Sequence, residues 1–258
     1  MSNPIESTNV NKVSVTEATL YAGISKLILG ILIFSILKFT GCPFYMVKWG
    51  ILAWSITVTA KMCWAILFHK KILALFRNIT FSWFSICFCS LYTGLLTAVT
   101  ECGFLLWIVK QKPALVQYNF KGWLTFGIAF AAWESMILGL SNTIQFFHTR
   151  RAENPEGRIE GNRGYRSLIL ALTERIWTLP IHTVSCLGIL YTARFGNSYI
   201  FWSVFMLKTA VDGLAGWYHE RILIEPSAKY RLTVLFEILL FIFALISSVF
   251  IFWAASKF

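Results

Sequence analysis

Glu101, Glu134 and His182 are the residues of this chain with the chemistry of a reaction site, and each lies inside an apolar run. A carboxylate with a water beside it can act as general base. An imidazole nearby can polarise a carbonyl or stabilise an oxyanion. Ionisable groups in lipid cost several kcal/mol, face the bundle interior, and are a functional hypothesis by default. Lys208 and Asp212 stand at i and i+4, a spacing that lets them pair on one helix. Glu174 and His182 are eight residues apart, which is about 80° around a helix and about 12 Å along it. They are therefore not direct partners. Glu174 and Arg175 are expected to form a second polar layer on the cytoplasmic side of His182. Pro180 sits just before that histidine and is expected to bend its helix.

The elements that carry these residues follow from composition. The chain has 258 residues, 57% hydrophobic and only 14% charged, which excludes an ordinary soluble domain. A spanning helix needs about 20 mainly apolar residues. Seven such runs can be laid out, roughly 19–39, 44–68, 80–109, 123–147, 167–193, 198–218 and 231–256. The expected fold is an all-α polytopic membrane protein of about seven transmembrane helices. A polar tail over 1–16 precedes a single membrane domain over 17–258.

Depth ties the residues together. Glu101, Glu134, His182 and Lys208 lie about eight to eleven residues from the same ends of four successive runs. At about 1.5 Å per residue that is roughly 12–17 Å, near the midplane of a core about 30 Å thick. Four helices thus place polar groups in one layer, and a pocket between the third and sixth spans is expected. Asp212 lies one turn deeper, in reach through Lys208. Lys26 and Lys48 lie near helix ends and are expected to snorkel to the headgroups. Lys61 is open to either reading, and Glu237 reaches toward the cytoplasmic interface.

The net charge of +11 belongs to membrane topology and not to nucleic acid. Basic residues gather in the tail and the even-numbered loops by about two to one, which puts the N-terminus in the cytoplasm. The expected setting is the plasma membrane, with lipids as standing partners. The six cysteines lie in or near spans, and Cys87-x-Cys89 lacks zinc-ligand spacing. Three of the four histidines, His69, His148 and His219, fall in loops. One histidine and two glutamates beside Lys208 disfavour zinc, so no metal or other cofactor is expected. Asn78-Ile79-Thr80 reads as a chance glycosylation match, and 148–166 as a solvated loop.

The order of these residues resembles the YhfC-type intramembrane proteases, relatives of the CAAX prenyl endopeptidases, of PrsW proteases and of the APH subunit of gamma-secretase. Thr100-Glu101-Cys102-Gly103-Phe104 falls where that family has Glu-Glu-x-x-Arg. Phe126-Gly127-Ile128-Ala129-Phe130-Ala131-Ala132-Trp133-Glu134 falls on Gly-x-Gly-His-Gly-x-x-Glu. Glu174, Arg175 and His182 match the third motif, and Lys208-Thr209-Ala210-Val211-Asp212 falls on His-x-x-x-Asp. The resemblance covers roughly residues 90–216. Thr100, Phe104, Phe130 and Lys208 replace family residues. It implies peptide hydrolysis in the bilayer, on a transmembrane or lipidated peptide, by a glutamic-type or metal-dependent peptidase. Glu101, Glu134 and His182 would be catalytic, with Thr100, Glu174, Arg175, Lys208 and Asp212 around them. The replacements imply impaired or altered catalysis, or a pseudoenzyme. The alternative is a non-catalytic membrane binding or transport protein with a buried Glu/Lys/Asp site.

Overall fold

A computed structural model describes residues 17–77, 82–152 and 162–256. The tail, the 78–80 tripeptide and residues 153–161 lie outside the described residues, while 148–152 and 162–166, expected as loop, are helical. The rest is all-α, in seven long helical segments. The first is α1 (Glu17–Phe39). In the second, α2 (Phe44–Trp64) runs through a π-helical turn (Ala65–His69) into α3 (Lys70–Arg77). The third joins α4 (Ser82–Thr97) to α5 (Leu105–Gln111) through a π-helical segment, Ala98–Phe104. There follow α6 (Phe120–Ala152), α7 (Asn162–Phe195), α8 (Ser198–Ile224) and α9 (Lys229–Ala255).

Six of the seven segments are long and apolar enough to cross a membrane. The exception is α8, expected from sequence to be a span like the others. Lys208 and Asp212 interrupt its apolar run. Both point into the bundle, where their charges are paired. α7 continues through Pro180 as one helix.

Two close approaches set the site. A Cβ built on Gly94 of α4 would lie 2.2 Å from the Thr209 carbonyl oxygen of α8. Only glycine lets these backbones come that near. The contact brings Lys208 and Asp212 against the segment that carries Glu101. A Cβ on Gly127 of α6 would lie 2.9 Å from Thr183 Cα, the residue after His182. That contact brings Glu134's helix against the histidine.

The main core lies toward the ends of the bundle formed by the 39–44, 111–120 and 195–198 connections, here called outer. It is built from Met46, Leu115, Trp123, Phe126 and Leu190, among others. A second cluster of Ile181, Val211, Phe236, Leu240 and Ala244 joins α7, α8 and α9. Many hydroxyls inside the bundle bond to carbonyls of their own helices, as Thr183 does to Leu179 at 2.8 Å and Ser185 to Ile181 at 2.8 Å. Such groups are thereby satisfied without water.

Candidate functional site

Glu101 stands in the π-helical segment. An α-helix turns successive side chains by about 100°, so three consecutive residues cannot all face one neighbour. In the wider π turn Thr100, Glu101 and Cys102 are all buried. π turns inside α-helices are frequent at functional sites.

Three cationic or basic groups surround Glu101. Lys208 Nζ lies 2.8 Å from its Oε2, Lys61 Nζ lies 3.5 Å from its Oε1, and His182 Nδ1 lies 3.7 Å from Oε2. Lys208 also reaches Asp212 at 3.1 Å, so the i, i+4 pair expected from sequence forms and extends to a third partner. Lys208 is only 2% exposed, and an ammonium so buried is stable because carboxylates face it on two sides.

Glu134 forms the other half. The Arg175 guanidinium donates to its Oε1 at 2.9 Å. The Trp54 indole N–H donates to its Oε2 at 3.1 Å. His182 Nε2 lies 3.0 Å from that same oxygen. Arg175 also donates to Glu174. His182 therefore stands between two carboxylates, one against each ring nitrogen. A single chain of polar contacts runs from Asp212 through Lys208, Glu101, His182, Glu134 and Arg175 to Glu174.

This joins what the sequence reading kept apart. Arg175 is not in a separate layer, because its side chain reaches Glu134 directly. Lys26 does not snorkel outward. It is 7% exposed and lies within electrostatic reach of Glu174, Arg175 and Glu134. Lys48 is exposed, as expected of a snorkelling residue. Four carboxylates (Glu101, Glu134, Glu174, Asp212) thus lie among four basic side chains (Lys26, Lys61, Arg175, Lys208). With all eight ionised, the cluster balances apart from any charge on His182, as a low-dielectric setting favours. Glu237 is half-buried and accepts from Thr173 at 3.4 Å. Thr100, beside Glu101, donates its hydroxyl to the carbonyls of Leu96 at 2.8 Å and Thr97 at 3.2 Å, within its own helix.

A small cavity opens beside Glu101, His182 and Lys208. Cys102, Leu105, Phe130, Ser185, Cys186 and Ile189 complete its wall. It has room for about one water molecule. Phe130 packs near the histidine, ring centroids 5.7 Å apart. Among the described residues, no three of the His, Cys, Asp and Glu side chains converge in a metal-holding arrangement.

Comparison with protein-family models, with curated proteins and with solved structures finds no match. What the site does must be argued from its own geometry. Trp54 and Lys26 are the members that sequence reasoning missed. Trp54 reads as one of many core aromatics, and only its cross-helix acceptor distinguishes it.

Proposed function

We propose that this integral membrane protein is a YhfC-like intramembrane peptidase homologue that hydrolyses a peptide bond at Glu101, His182 and the cavity between them. The observation that carries the reading is the position of His182. One ring nitrogen faces Glu134 at 3.0 Å, and the other faces Glu101 at the wall of a cavity for about one water. A base and an imidazole within one water of each other are the minimum for hydrolysis.

The roles follow from the contacts. Glu134 accepts from Trp54 and Arg175 and faces His182, so both its oxygens are engaged and it serves to hold the histidine. With Nε2–H directed at Glu134, Nδ1 is left to accept from the cavity water. Glu101 accepts that water's other hydrogen and takes its proton as the oxygen attacks the peptide carbonyl carbon. Glu101 returns the proton to the amide nitrogen as the C–N bond breaks, giving a carboxylic acid and an amine. Lys208 lines the same cavity and is the cationic donor in reach of the oxyanion. The oxyanion role expected of His182 from sequence thereby passes to Lys208.

One observation favours a second reading, a homologue that binds a helix or lipidated peptide without cutting it. Lys208 and Lys61 both hold Glu101, and the small cavity has no space for a peptide. Hydrolysis requires the Lys61 side of the site to open. Transport draws less support, because Met46, Leu115, Trp123, Phe126 and Leu190 form an apolar core between the cavity and the outer helix ends.

The test is cleavage of single-span and prenylated peptides in proteoliposomes. The peptidase reading expects products from the wild type and none from Glu101→Gln or His182→Ala. Wild-type binding without products, lost in His182→Ala, overturns it in favour of the second reading.

A further inference from the structure

Two indoles tie α2 to α6 in opposite directions. Trp54 of α2 donates to Glu134 Oε2 of α6 at 3.1 Å. Trp133 of α6 donates to Ser55 Oγ of α2 at 3.0 Å. Adjacent residues on each helix thus exchange hydrogen bonds. The two bonds differ in what they touch. Ser55 Oγ donates onward to the Ile51 carbonyl at 2.9 Å, within its own helix, and goes no further. Glu134 Oε2 is shared with His182 Nε2 at 3.0 Å.

We propose that Trp54 is a positioning residue for His182, acting through Glu134. A carboxylate can rotate about its last bond, and Arg175 on Oε1 alone leaves that rotation partly free. The indole N–H fixes the second oxygen. A fixed Oε2 selects the histidine tautomer with the proton on Nε2, because the other tautomer would set a lone pair against a carboxylate oxygen at 3.0 Å, whereas Nδ1 faces Glu101 Oε2 only at 3.7 Å. Nδ1 then faces Glu101 and the cavity as an acceptor. A metal-ligating histidine has its tautomer set by the partner of its other nitrogen, and the same logic applies here without a metal. Trp54 is buried and shaped to do this rigidly, with one donor and an apolar body. This inference deepens the hydrolytic reading and rests on it for its catalytic consequence. The tautomer itself does not depend on any substrate.

The experiment is nitrogen-15 NMR of the full chain in lipid, labelled at histidine, with the His182 signals identified by their loss in His182→Ala. The wild type should show one tautomer, protonated on Nε2. Trp54→Phe keeps the aromatic bulk and removes the donor, so a second tautomer should appear. Trp133→Phe breaks the other α2–α6 bond and should leave the His182 signals unchanged. An unchanged spectrum in Trp54→Phe overturns the proposal. So does an equal change in Trp133→Phe, which would mark a packing effect of the helix pair. Should Trp54→Phe not fold, the wild-type Trp54 indole N–H resonance must move in Glu134→Gln, and an indole that ignores that change also overturns it. Where peptide cleavage is measurable, Trp54→Phe should lower kcat about a hundredfold with KM little changed, as expected for a misplaced reacting group. Failure of cleavage in the wild type contradicts the hydrolytic reading, whereas the NMR outcome alone decides the tautomer claim.

Discussion

Lys208 Nζ stands 2.8 Å from Glu101 Oε2, joining α8 to the π-helical segment between α4 and α5. Both residues are buried, so each is the other's main compensation for leaving water. Removing one partner of such a pair costs roughly 3–5 kcal/mol, because the survivor is left buried and uncompensated. Lys208→Met should therefore destabilise the protein by about that amount in detergent unfolding. Combining it with Glu101→Gln should cost less than the two single changes added, by about 1–3 kcal/mol. Strict additivity would contradict the pairing.

Lys61 touches the same carboxylate from a different setting. Its side chain is 28% exposed and its Nζ is 3.5 Å from Glu101. A partly exposed pair of that length is worth at most about 1 kcal/mol. Lys61→Met should change stability by no more than that, well below Lys208→Met. Equal losses from the two lysines would show that Lys61 is as tightly held as Lys208.

Helix approach is testable at two glycines of one segment. Gly94→Ala places a methyl 2.2 Å from the Thr209 carbonyl oxygen, with no flexible side chain to yield. Overpacking of this kind costs about 1–3 kcal/mol. Gly103 has nothing within 4 Å of its would-be Cβ, so Gly103→Ala should leave stability unchanged or raise it by up to about 1 kcal/mol. Thermal unfolding of the two variants side by side checks the contrast. Similar behaviour would contradict the close α4–α8 packing.

Orientation is a separate expectation from the basic-residue asymmetry. We expect an N-terminal tag to be protected, and a C-terminal tag digested, when protease is added to sealed vesicles with their outer face exposed. The reverse pattern would invert the assignment of inner and outer faces. It would leave the depth of the polar layer unchanged.

Much of the site was legible because charge in a greasy chain is conspicuous. Depth counting along four runs brought Glu101, Glu134, His182 and Lys208 to one layer, and the structure packs them together. Arg175 was misplaced for a reason the sequence does contain. It lies seven residues before His182, two turns away on nearly the same face, and a long guanidinium side chain closes the axial gap to Glu134. Lys26 was misread because α1 is apolar all round, so no stripe says which way it faces the bundle. Its burial depends on how α1 docks on α6, where Ser135 donates to the Lys26 carbonyl at 3.0 Å. The π-helical segment left no mark either, since an added turn residue in a uniformly apolar run disturbs no visible period. Trp54 carries its role in one hydrogen bond to a residue eighty positions away, which no local pattern encodes.

The proposed reaction is hydrolysis of a peptide bond inside the bilayer at Glu101 and His182. Its most direct measurement is mass spectrometry of products formed by proteoliposomes in water enriched in oxygen-18. The expected result is cleaved single-span or prenylated peptide with one heavy oxygen in each new carboxylate, and no product from Glu101→Gln. Absence of product from the wild type, or labelled product at the same rate from Glu101→Gln, would contradict it.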